Sequence, residues 1–121
     1  MSQNDTFDAY DATSLPSPVA AYMAAQGAEH RREARVELFA SDAHVTDAGT
    51  DHRGLDGVRA WLDRTSAEYT YTTSPTGQRQ DGPNVWTTLA HLEGDFPGGV
   101  VDLTFRFELR EGRISRLVIA P

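Results

Sequence analysis

Apolar positions change their period along this chain. Up to about residue 67 they recur mostly at helical spacing, and from residue 69 they alternate. Ser17 can cap a helix and Pro18 suits its first position. Val19, Tyr22, Met23 and Gln26 then form one stripe, which Gly27 ends, so Tyr22 points with the core residues. A second helix is expected over about His30–Phe39, with Ala34, Leu38 and Phe39 inward. After a turn at Ser41-Asp42, a short strand covers Ala43–Asp47. Its alternation puts Ala43, Val45 and Asp47 on one face and His44 and Thr46 on the other. Gly49–Arg53 reads as a turn. Gly54 permits a sharp start to a third helix, about Leu55–Ala67, whose inner face carries Leu55, Val58, Trp61, Leu62 and Thr65.

The remainder reads as β-structure. Tyr69–Thr73 alternates aromatic residues with Thr, and Asp81–Asn84 is a turn. Val85–Glu93 is a strand, joined through Gly94–Gly99 to the clearest strand of all, Val100–Leu109. There Val101, Leu103, Phe105, Phe107 and Leu109 face inward while Asp102, Thr104, Arg106 and Glu108 face out. Glu111-Gly112 turns into a last strand, Arg113–Ala120. Helices first and a strand meander afterwards is an α+β pattern, with helices on one face of the sheet. Residues 1–14 hold three Asp, no basic residue and only two large apolar residues, so a mobile acidic tail is expected there, with the folded domain over 15–121.

Composition narrows the function. At 121 residues one domain is expected, burying roughly two-thirds of its unfolded surface. There is no Cys, hence no disulfide and no thiolate chemistry. No basic segment followed by an apolar run opens the chain, which argues against a secretory signal and for the cytoplasm. No run approaches the ~20 apolar residues of a membrane span. All eleven basic residues are Arg and the net charge is −7, a poor balance for neutralising nucleic-acid phosphates. Arg31, Arg32 and Arg35 read as one solvated helix face.

Asp47 is the best chemical lead, because pattern alone calls for an apolar or hydroxyl residue there. A carboxylate on a pocket-facing strand sheds hydration and becomes a better proton acceptor. The bland alternative is an Asp bonded to the turn amides of Ala48–Thr50. Tyr22 could polarise a ligand carbonyl, or be a core Tyr with a backbone partner. His91 is an acid–base or ligand candidate whose strand face the pattern leaves open. Strand geometry separates His44 from Asp47, so His44, Asp47 and His52 are not read as a metal site. No P-loop, nucleophile elbow or dinucleotide fingerprint is present.

Four stretches, PVAAYMAA, LFASDAHVTDAGT, HRGLDGVRAWL and GDFPGGVVDLTFRFELREGRISRLVI, resemble in order and spacing the nuclear transport factor 2-like superfamily, specifically its SnoaL-like and ketosteroid-isomerase-like branch. The resemblance implies a cone of three N-terminal helices on a strongly curved antiparallel sheet, an apolar pocket between them, and a homodimer through the sheet. It implies Tyr22 as oxyanion donor and Asp47 as proton carrier. The isomerases' second donor, a protonated Asp, corresponds to Leu103 here, and the Pro that usually follows the base is Ala48. Trp61, Tyr69, Trp86, Leu103 and Phe105 are the pocket-lining candidates. The expectation is a cofactor-independent isomerase or cyclase acting on an apolar cyclic or polyketide-like molecule; the alternative is a non-catalytic ligand-binding or dimerisation module.

Overall fold

The computed structural model describes residues 7–25 and 32–121. The expected helix end at Gln26-Gly27, the start at His30, Arg31 and the first six residues of the expected tail lie outside them.

Helices α1 (Ser17–Ala24), α2 (Arg32–Val36) and α3 (Gly54–Glu68) cover one face of a seven-stranded sheet. Its strands are β1 (Asp8–Ala9), β2 (Phe39–Asp47), β3 (Thr50–Arg53), β4 (Tyr71–Gly82), β5 (Val85–Gly94), β6 (Val100–Arg110) and β7 (Arg113–Ala120). They lie in the order β1-β4-β5-β6-β7-β2-β3. Every neighbouring pair is antiparallel except β2 with β7, which run parallel. The result is the expected α+β cone on a curved sheet, with one parallel seam in it.

The strand alternation in β6 holds. Phe105 and Phe107 are buried against Tyr22 of α1, with ring centroids 6.3 and 5.5 Å away, and Phe39 meets the same ring edge-on at 6.0 Å. Edge-to-face aromatic packing of this kind adds about 0.5–1.5 kcal/mol per pair beyond burial. From β2 come Ala43 and Val45, and from α3 Val58, Trp61 and Leu62, all buried in the same core.

Four departures from the sequence pattern have physical causes. Residues 7–14, read as mobile tail, are docked: Asp8 and Ala9 pair with Gln78 and Gly77, and the Asp11 amide donates to Gln78 Oε1 at 2.7 Å. Phe7 lies under the Arg79 guanidinium, 4.6 Å from its centroid. Secondly, α2 is short and Phe39 already belongs to β2, so its phase shifts: Arg35 and Val36 are buried, while Ala34 is exposed. Of the expected turn over Gly49–Arg53, Thr50–Arg53 is instead a strand. There Asp51 Oδ1 accepts from Thr46 Oγ1 at 2.7 Å and meets His44 Nε2 at 3.0 Å across the β2–β3 pair. Finally, β4 runs through Ser74–Gln80, where Pro75 and Gly77 hide the strand signal and the register slips between them.

The β2–β3 turn places Ala48 at φ 52° and Gly49 at φ 82°. Pro, fixed near −65°, cannot take the Ala48 conformation, which accounts for its absence after Asp47. An Ala in this left-handed region costs about 1 kcal/mol, whereas Asn tolerates it. Ala48→Asn is therefore expected to raise stability by about 0.5–1 kcal/mol, read as a higher urea midpoint at unchanged slope. At Gly94 an added Cβ would sit 2.4 Å from the Thr70 carbonyl oxygen and 2.5 Å from Tyr71 Cβ. Gly94→Ala should accordingly lower stability by about 1–3 kcal/mol in the same assay.

Candidate active site

Between the helices and the sheet lies a cavity of about 240 Å³. Its walls are largely apolar side chains, including Leu62, Leu92, Val101, Leu103 and Phe105. Into it face Asp47 at the end of β2, Trp61 and Thr65 from α3, Tyr22 from α1, Tyr71 from β4 and Arg35 from α2. Tyr69 and Phe96 meet edge-on at 6.1 Å on the same cavity, and Tyr69 is 37% exposed, which puts this pair at the rim. An apolar hollow with a few converging polar groups is how small-molecule sites are commonly built.

Asp47 is half-buried, and its Oδ2 accepts a hydrogen bond from Trp61 Nε1 at 2.9 Å. The Asp does not cap its own turn: the Ala48 amide donates to the Ile119 carbonyl at 3.4 Å. Among the described residues no hydrogen bond reaches Oδ1. The indole thus fixes one carboxylate oxygen and leaves the other without a hydrogen bond among the described residues. His52 packs on Trp61 at 6.0 Å; burial, with Arg64 nearby, holds its imidazole below the usual value, so it is neutral at pH 7. Tyr71 is pushed up, chiefly by burial and further by Asp47, against the opposing pull of Arg35, so its phenol stays protonated and can donate.

Arg35 is the group the sequence pattern misplaced. It is only 2% exposed, and its Nε has no hydrogen-bond partner. Its guanidinium lies 5.9 Å from the Tyr22 ring centroid, near the outer limit of a cation–π contact. A buried charge without a counter-charge costs several kcal/mol even after relaxation. Among the described residues, no group of three or more His, Asp or Glu is arranged to hold a metal ion.

Comparison with protein families matches residues 19–117 to the SnoaL-like domain. The chain belongs to the SnoaL-like family. Among solved structures, this SnoaL-like protein is similar to a candidate polyketide cyclase from Sinorhizobium meliloti. That match has 32% identity and TM-score 0.84, over 92% of this chain and 100% of that one. A protein of ketosteroid-isomerase-like fold from Catenulispora acidiphila, solved with trimethylamine, shares the fold at 22% identity and TM-score 0.76, over 88% and 86% of the two chains. A Mycobacterium tuberculosis protein in complex with estradiol-17β-hemisuccinate shares it at 19% identity and TM-score 0.72, over 87% and 91%. No curated protein matches the chain.

Of the residues expected in the site, Asp47, Tyr22, Trp61, Tyr69, Leu103 and Phe105 all line this cavity of the SnoaL-like protein. Trp86 does not. It packs on the core from the inner face of β5, opposite Phe107, away from the cavity lining. His91 falls on the other face of β5, its Nδ1 2.7 Å from Asp102 Oδ1 and its Nε2 2.9 Å from Glu93 Oε2. That placement takes it out of the cavity, because the alternation that turns Ala90 and Leu92 inward turns His91 out. Pattern reading missed Arg35, Tyr71 and Phe96. Tyr71 alone carried a legible signal, alternating with Thr in Tyr69–Thr73.

Trp61→Phe keeps the ring and removes the only donor to Asp47 among the described residues. It should lower stability by about 1–2 kcal/mol in urea denaturation. The hydrogen bond that His91 donates to Asp102, then the one it donates to Glu93, raises the His91 value above 6.5. The stability this contact adds is complete below 6.5 and is lost as pH rises through the raised value. An NMR titration should place the His91 midpoint above 6.5, and Asp102→Asn should bring it down.

Proposed function

We propose that this protein binds a small, largely apolar carbonyl compound and moves a proton on it, in an isomerisation or cyclisation that needs no cofactor. Asp47 carries the reading: a half-buried carboxylate on the cavity wall, one oxygen held by an indole N–H and the other making no hydrogen bond among the described residues. In this reading Asp47 accepts the proton from the carbon beside the carbonyl. The electron pair moves onto the carbonyl oxygen, and the enol or enolate takes its proton back from Asp47 at a second carbon. Tyr22 donates to the developing oxygen. Leu103 supplies no second donor, but the protonated Tyr71 phenol lines the same cavity and can take that place. The polyketide cyclase description of the Sinorhizobium relative supports ring-forming or ring-isomerising substrates.

A purely ligand-binding module is the competing reading. The arrangement favours chemistry over it, because that alternative expects Asp47 to be consumed by its own turn, and the Ala48 amide bonds elsewhere. A homodimer through the outer sheet face also forms part of the proposal: Leu89, Val118 and Ala120 lie partly exposed on that face among the ion pairs of His91 and Arg106. Light scattering at micromolar concentration should then give twice the chain mass.

Solvent exchange tests the chemistry. The protein is incubated in D2O with a panel of cyclic β,γ-unsaturated ketones and 1,3-diketones, and deuterium uptake beside the carbonyl is followed by NMR. Wild type should accelerate exchange on at least one compound, and Asp47→Asn should slow it about 10²–10⁴-fold with thermal unfolding unchanged. Equal rates in the two proteins remove Asp47 as the base.

A further inference from the structure

We infer that the ligand of this cavity carries a carboxylate and that Arg35 is its anchor. The inference rests on the reading of the cavity as a ligand site and adds the class of molecule it takes.

Three observations combine. Arg35 is almost wholly buried, lines the cavity, and has an Nε without a partner. No described carboxylate forms an ion pair with it. The other charged group on the cavity wall is Asp47, which takes its hydrogen bond from Trp61 instead. The Tyr22 ring at 5.9 Å compensates little of a buried cation's lost hydration.

A structural arginine resolves this situation by pairing with an acid, a backbone carbonyl or a phosphate-like ion. Arg35 stands on the wall of an otherwise greasy space, with its Nε shielded and unpaired. A guanidinium can also present its two Nη groups side by side to a carboxylate, which accepts both bonds. The protonated Tyr71 hydroxyl adds a further donor on the same cavity. Arg35 would thus hold one end of the ligand while Asp47 faces another part of it.

The test pairs two ligands of one shape, 2-naphthoate and 2-naphthamide, titrated calorimetrically into the full chain at pH 7.5. The carboxylate should bind at least about tenfold tighter than the amide. In Arg35→Met the preference should shrink to within about twofold, with amide affinity changed less than about threefold. Without ligand, Arg35→Met should melt at least about 4 °C higher than wild type, because an uncompensated buried charge has gone. Arg35→Lys should keep a weaker carboxylate preference.

Equal binding of the two ligands to wild type overturns the inference and leaves the Asp47 reading standing. A preference that survives in Arg35→Met overturns it too. An Arg35→Met protein that melts lower or fails to fold would show that the guanidinium holds the fold together, and would overturn it as well. Binding of neither ligand removes the inference and the ligand site together.

Discussion

One hydrogen bond, from the Trp61 indole to Asp47 Oδ2, ties the helical layer to the sheet on the cavity wall. Everything functional hangs on it. The β2–β3 hairpin brings Asp47 to the strand end, and the buried face of α3 brings Trp61 over it. Because the indole can only donate, it holds the carboxylate as an acceptor and orients it without supplying a proton. His52, kept neutral by its surroundings, packs on the indole without competing for the charge. The carboxylate is therefore held by a rigid aromatic and not by mobile turn amides, as precise proton transfer requires.

Two opposite charges line one apolar cavity without neutralising each other. Had Arg35 and Asp47 paired, each would have satisfied the other, and the cavity would hold little chemical potential. Their separation leaves a cation and an anion whose solvation is incomplete in the free protein. Sites of this kind are maintained against the stability of the fold, and a bound molecule supplies the missing partner. The aromatic core beneath, where Tyr22 meets Phe39, Phe105 and Phe107, supports that cost.

Much of the architecture was legible because period reports burial directly. The inward residues of β6, the α3 stripe and the Asp47 face all followed from spacing of 2 or 3.6 residues. What escaped did so for local reasons. Helix α2 is too short for a period to establish itself, so the buried Arg35 read as part of a solvated arginine face. In β4, Pro75 and Gly77 concealed seven residues of strand that the neighbouring β5 imposes by pairing. His91 could not be placed because β5 has hydroxyl and apolar residues on both faces, with Thr87 and Thr88 both buried. Period shows which face of an element is buried but not which part of that face meets the cavity, so Trp86 packs on the core outside it, and Arg35 escaped because its position depends on where one helix stops.

The parallel seam between β2 and β7 has a consequence in time. Phe39 is paired with Ile114, and Asp47 with Ile119, so the wall behind the Asp47 carboxylate joins segments more than seventy positions apart in the chain. Closing such a loop comes late, after nearer hairpins such as β4–β5 have formed. During synthesis, then, α1 to β6 must wait on the ribosome with an apolar groove open until β7 emerges to seal it.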